Sequence, residues 1–89
     1  MIRRRVKIKN RLGLHARAAA RFVHTASRFK ARVTVARNGK AMDGKSILGI
    51  LLLAASHGTD LELTADGEDE APALEALATL VESGFGETP

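Results

Sequence analysis

The chain is expected to fold as an α+β two-layer sandwich of element order β-α-β-β-α-β-α, its helices lying on one side of a mostly antiparallel four-stranded sheet. Three observations point there. Apolar residues alternate with period two in short stretches, they recur at helical spacing in others, and the connections are short turns marked by Gly and Asn. With 89 residues and 45% hydrophobic content, residues 1–89 make one small domain with a modest core and little room for a deep enclosed pocket.

The first strand is read from Ile2, Arg4, Val6 and Ile8 alternating with Arg3, Arg5, Lys7 and Lys9, the pattern of a strand with one wet face. After a turn at Gly13, Ala16 to Arg28 is rich in helix formers, and Ala16, Ala19, Ala20, Val23 and Ala26 share helical spacing. A helix that buries such small residues can pack close to a sheet. Ala31, Val33 and Val35 then alternate with polar residues to give a second strand. Asn38-Gly39 follows, the dipeptide suited to a type I′ hairpin because both positions need positive φ, and Lys40 to Asp43 returns as the third strand.

Gly44 and Ser46 punctuate the chain before a short helix through Ile47-Leu48-Gly49-Ile50-Leu51-Leu52-Leu53, with Ser46 as N-cap and Gly58 as the expected stop. Its apolar residues face too many directions for one contact to cover. Asp60 to Asp66 places Leu61, Leu63 and Ala65 inward and Glu62 and Thr64 outward, a fourth strand, and Gly67 to Glu70 is a turn. The last helix runs from Glu70 to Ser83, with Pro72 tolerated in its first turn. Leu74, Leu77, Leu80 and Val81 lie on one face, and Gly84 is the stop.

Composition excludes several functions. The absence of cysteine rules out a disulfide framework and thiolate chemistry. The N-terminal arginines interrupt any continuous apolar run, against a signal peptide, and Ile47 to Ala55 is too short to span a membrane. The formal charge of +4 conceals a polarity: all 14 Lys and Arg residues lie between Arg3 and Lys45, and every Asp and Glu except Asp43 lies between Asp60 and Glu87. Either the basic half meets an acidic partner, or basic and acidic elements neighbour each other in the fold.

The chemistry concentrates in Asn10-Arg11-Leu12-Gly13-Leu14-His15-Ala16-Arg17, where a histidine and an arginine sit at the seam between strand and helix. A helix N-terminus presents unpaired N–H groups and the positive end of its dipole, so a phosphoryl group on His15 would meet the backbone N–H groups of Ala16, Arg17 and Ala18 and the planar fork of Arg17. A neutral imidazole nitrogen is nucleophilic near pH 7. His24 and His57 stand at no recognised metal-ligand spacing and read as solvated or capping histidines, so no metal is expected. Paired carboxylates, a nucleophile elbow and a phosphate-cradling glycine loop are all missing from the sequence.

Gly13-Leu14-His15-Ala16-Arg17, the Asn38-Gly39-Lys40 hairpin and Gly44-Lys45-Ser46-Ile47-Leu48-Gly49, in this order and separation, resemble the histidine-containing phosphocarrier (HPr) family of the bacterial phosphotransferase system, including its nitrogen-related branch, over nearly the whole chain. The resemblance implies an open-faced sandwich, four antiparallel strands covered on one face by three helices. It implies a cytoplasmic carrier, not a free-standing enzyme and without cofactor, that accepts phosphoryl from Enzyme I on His15 beside Arg17 and passes it to a IIA protein or domain. Ser46 matches the family's regulatory serine, modified by an HPr kinase where one exists; the plain N-cap role is compatible with this. Where the family commonly has proline, this chain has Ala18, which forms helix well and restores an N–H.

Ile47, Leu48 and Leu51 have both a core and a docking reading, and Arg21 and Arg28 extend the basic face of Arg17, either to dock an acidic partner or as a solvated face. A carrier that exposes one site to successive partners is most simply a monomer, with neither nucleic acid nor membrane as partner. The alternative is a regulatory or polyanion-binding module using the basic N-terminal half. Against nucleic acid stands the aromatic content: no Trp, no Tyr and three Phe, where single-strand binders stack bases on aromatic rings.

Overall fold

The computed structural model describes residues 1–87. Its elements are β1 (Ile2–Lys7), α1 (Ala16–Ala26), β2 (Arg32–Arg37), β3 (Lys40–Asp43), α2 (Ile47–Leu52), β4 (Asp60–Asp66) and α3 (Glu70–Glu82), followed by a 3₁₀ turn over Gly84–Gly86. The strands form one sheet in the order β1-β4-β2-β3, antiparallel throughout, with Val6 opposite Leu61, Val35 opposite Leu63, and Val35 opposite Met42. The predicted α+β open-faced sandwich is what forms. The helices cover one face, and Val6, Val33, Val35, Leu61 and Leu63 from the sheet meet Phe22, Ile50, Leu77, Val81 and Phe85 in one core.

The hairpin between β2 and β3 takes positive φ at Asn38 (50°) and Gly39 (80°), the geometry that its dipeptide predicts. The charge polarity is resolved in part by neighbourhood. Arg4 on β1 reaches Glu75 at 2.9 Å and Glu82 at 3.4 Å on α3, Lys7 approaches Asp60 at 3.9 Å, and the N-terminal ammonium meets Glu70 at 3.0 Å. These pairs are largely exposed and contribute little each, but they set the acidic elements beside the basic edge strand.

Three expectations are corrected by the packing. Helix α1 ends at Ala26, not Arg28, because Arg28 and Phe29 turn back in i→i−3 hydrogen bonds to Thr25 and Ala26. Its buried stripe is Ala18, Ala19, Phe22 and Ala26, whereas Ala16 and Ala20 are exposed. In an alanine-rich helix two adjacent stripes have equal spacing, and the bulk of Phe22 decides which one faces the sheet. Helix α2 is not stopped by Gly58. It closes at Leu53, with Ala54 at φ 50°, and Arg37 Nη1 donates to the Leu53 and Ala54 carbonyls at 2.8 and 3.2 Å, so its terminal acceptors are satisfied from a strand. Gly58 (φ 85°) serves the turn into β4 instead.

Asp69 stands at the start of α3 without capping its own helix; its carboxylate accepts from Lys30 N at 2.9 Å and Ala31 N at 2.8 Å, pinning the α1–β2 connection. The Lys30 amide bond, against an opposing effect of burial and with help from Ala31, holds the Asp69 pKa below its ordinary value of 3.8. A depressed folded pKa means stability present above the unfolded value and lost as pH falls through the folded one. Asp69→Asn is therefore expected to lower the melting temperature at neutral pH, with the gap to wild type narrowing in acid. Thermal unfolding near neutrality and at about pH 3 checks this, and a gap independent of pH would count against it.

Candidate functional site

His15 is the N-cap of α1, its backbone extended (φ −75°, ψ 176°), and its Nδ1 accepts from the Arg17 backbone N–H at 3.3 Å. The seam is held by Gly13, whose φ of 68° and close approach to the Ala55 carbonyl exclude a side chain, and by Leu14 N donating to that carbonyl at 2.9 Å. A histidine is an unusual cap; here the ring nitrogen does the work of the Ser or Asp oxygen. Helical geometry leaves the N–H groups of Ala16, Arg17 and Ala18 without intrahelical acceptors, and that of Arg17 is met by the ring.

Around His15 lies a shallow open depression. Arg11, Arg17 and Arg21 give it a positive rim, Leu12 an apolar one, and Glu87 a single carboxylate. The Arg17 side chain is exposed and makes no hydrogen bond or ion pair among the described residues. Arg21 is anchored: its Nη1 donates to the Phe85 carbonyl. Glu87 Oε2 lies 2.6 Å from His15 Nε2, and Glu87 Oε1 accepts from Asn10 Nδ2 at 3.0 Å. Partial burial pushes the Glu87 carboxyl up, and the hydrogen bonds from Asn10 and His15, with the nearby Arg21 guanidinium, outweigh it, leaving its pKa below the ordinary carboxylate value.

The structure thus joins His15, Arg17 and Arg21 at one place and sets the other predicted residues around it. Ser46 is half-buried and caps α2, its Oγ accepting from Gly49 N at 3.1 Å. Ile47 and Leu48 are exposed at 46% and 67%, Leu51 is half-buried against the core, and Leu52, not singled out from the sequence, is 55% exposed. Helix α2 packs beside α1 and does not line the depression itself. His24 and His57 are exposed, and no group of three metal-ligating side chains occurs among the described residues. Sequence reasoning placed Asn10 in the seam without a role for its side chain, and missed Phe85 and Glu87. The first is a lone polar residue in a turn and the others lie beyond the last helix, and no local pattern returns that end of the chain to His15.

An imidazole at the positive end of a helix, with arginines around it in an open depression, defines a class: a small open-faced α+β protein with one histidine at a place suited to an anion. The family model for the PTS HPr component phosphorylation site matches residues 2–83, and the chain belongs to the HPr family, the phosphocarriers of the phosphotransferase system. The phosphocarrier protein HPr of Neisseria meningitidis is 49% identical over 98% of both chains. A crystal structure of HPr from Thermoanaerobacter tengcongensis superposes with a TM-score of 0.96 at 46% identity, covering 100% of each chain. A second structure from that organism, an HPr dimer, is 49% identical with a TM-score of 0.78 over 92% of this chain and 94% of that one, so the monomer expected from the sequence does not follow from the family. Among the described residues no helix is long and apolar enough to cross a membrane.

Proposed function

We propose that the protein accepts a phosphoryl group from Enzyme I on Nδ1 of His15 and passes it to a IIA protein or domain in the cytoplasm. The observation that carries this reading is the orientation of the ring: Nδ1 accepts from Arg17 N, so its lone pair faces the N-terminus of α1, where an anion is favoured. Arg17 contributes a free guanidinium, and the N–H groups of Ala16 and Ala18 lie at the same helix end. Once phosphorus bonds Nδ1, the ring no longer accepts from Arg17 N, and that N–H is released to a phosphoryl oxygen. An open depression suits a carrier because the partner supplies the other half of the in-line transition state. The exposed Ile47 and Leu48, with Leu51 beneath them and Arg21 beside His15, form the docking surface of this proposal.

Ser46 fits regulation through the same surface. A phosphoryl group on its Oγ would keep acceptor oxygens at the N-terminus of α2, where negative charge is favoured, and place that charge beside Ile47 and Leu48. The polyanion-binding alternative is weakened by the ion pairs that engage Arg4 and Lys7 with acidic neighbours. Incubation with Enzyme I, phosphoenolpyruvate and Mg²⁺, followed by intact mass and acid lability, tests the carrier reading. One acid-labile phosphoryl adduct on wild type and none on His15→Ala is expected. No adduct with an active cognate Enzyme I would overturn it in favour of a regulatory or polyanion-binding role.

A further inference from the structure

His15 is engaged at both ring nitrogens, and the two contacts together fix where its proton sits. An amide N–H only donates, so Nδ1, 3.3 Å from Arg17 N, presents a lone pair. A carboxylate only accepts, so Nε2, 2.6 Å from Glu87 Oε2, carries the hydrogen. The carboxylate is itself held: its other oxygen accepts from Asn10 Nδ2, which also donates to the Gly13 carbonyl at 2.7 Å, and Asn10 is only 5% exposed. Asn10 and Gly13 belong to the turn that delivers His15, and Arg21 grips the same C-terminal segment at the Phe85 carbonyl. The segment from Phe85 to Glu87 is thus tied to the site by three contacts.

Resting on the phosphoryl-acceptor reading of His15, we propose that Glu87 is a positioning residue for the transfer, holding the Nε2 proton so that the Nδ1 lone pair is directed at the incoming phosphorus. In that step the Nδ1–P bond forms as the bond from phosphorus to the donor atom breaks, and the electron pair of the broken bond leaves with the donor. No proton moves on the ring, because Nε2 is already protonated. The positive charge the imidazole gains on bonding phosphorus spreads to Nε2–H and lies against the Glu87 carboxylate. On transfer to the next acceptor the same contact receives the ring back in the tautomer with Nδ1 free. Without Glu87 a neutral imidazole is divided between two tautomers, and the one with hydrogen on Nδ1 has no lone pair there and opposes the Arg17 N–H.

Long-range ¹H–¹⁵N correlation spectra of the full chain, recorded at about pH 8 where an ordinary imidazole is neutral, read the tautomer directly. They are paired with initial rates of phosphoryl loading by Enzyme I and phosphoenolpyruvate. Wild type is expected to show hydrogen on Nε2 alone. Glu87→Ala is expected to show a tautomer mixture and to load about 10-fold more slowly, with backbone amide shifts outside the site unchanged. Glu87→Gln, whose amide offers either its oxygen or its nitrogen to the ring, is expected between the two. Ring nitrogens unmoved in Glu87→Ala overturn the proposal, as does a shifted tautomer with an unchanged loading rate. Failure of wild type itself to load is a separate result: it removes the carrier reading and this inference with it.

Discussion

Phe85→Ala is expected to destabilise the protein by about 3–5 kcal/mol, a large share of the roughly 5–15 kcal/mol that holds a domain of this size folded. Phe85 is 1% exposed and belongs to the same core as Phe22, Leu77 and Val81, although it lies outside every long helix and strand. It adopts φ 58° and ψ 23°, a left-handed conformation in which phenylalanine and alanine bear similar strain, so the substitution isolates the buried ring. The ring is the anchor of the C-terminal turn, whose carbonyl holds Arg21 and whose next residues lead to Glu87 against His15. Chemical denaturation should show a lower midpoint with little change in the m-value. The contact between Glu87 and His15 should loosen as well, and a loss below about 1 kcal/mol would show that the turn packs independently of the core.

Gly13→Ala carries the second large effect, at the other side of the same histidine. A Cβ on Gly13 would collide with the Ala55 carbonyl oxygen and stand 2.9 Å from Ser56 Cα, both backbone atoms that cannot swing aside. The φ of 68° adds left-handed strain. Strain and overpacking together give an expected loss of roughly 2–6 kcal/mol. Relief would come by moving the Gly13–Leu14 backbone away from Ala55, lengthening the Leu14 N bond of 2.9 Å and shifting the cap residue that follows. A displacement of about 1 Å at a reacting group can cost ~100-fold in rate, so the folded fraction should also load phosphoryl slowly. Full stability and wild-type loading together would show that the seam tolerates a wider turn than its geometry indicates.

Both effects converge on a site assembled from two stretches far apart in sequence, residues 10–21 and 85–87, and this explains what could be read in advance. The four strands and three helices follow from local pattern, because the periods of two and 3.6 are set by backbone geometry. The hairpin at Asn38-Gly39 and the cap at Ser46 were legible for the same reason: each rule spans no more than four residues. His15 and Arg17 stood out because strand, turn and helix signals meet there.

What sequence left open is non-local. Which alanine stripe of α1 faces inward depends on the sheet beneath it, and the stop of α2 depends on Arg37 reaching across from β2. The polarity of charge had two readings until Arg4 was found against Glu75 and Glu82, 71 and 78 residues away. Glu87 lies 72 residues from His15, and a contact over that separation leaves no trace in a local pattern. By itself the sequence determined the elements, their order and the histidine at the helix N-terminus, since these rest on short-range sterics and periodicity. Only the tertiary structure decided what meets Nε2 of that ring, because a carboxylate is brought to an imidazole by packing along the chain and not by its neighbours in sequence.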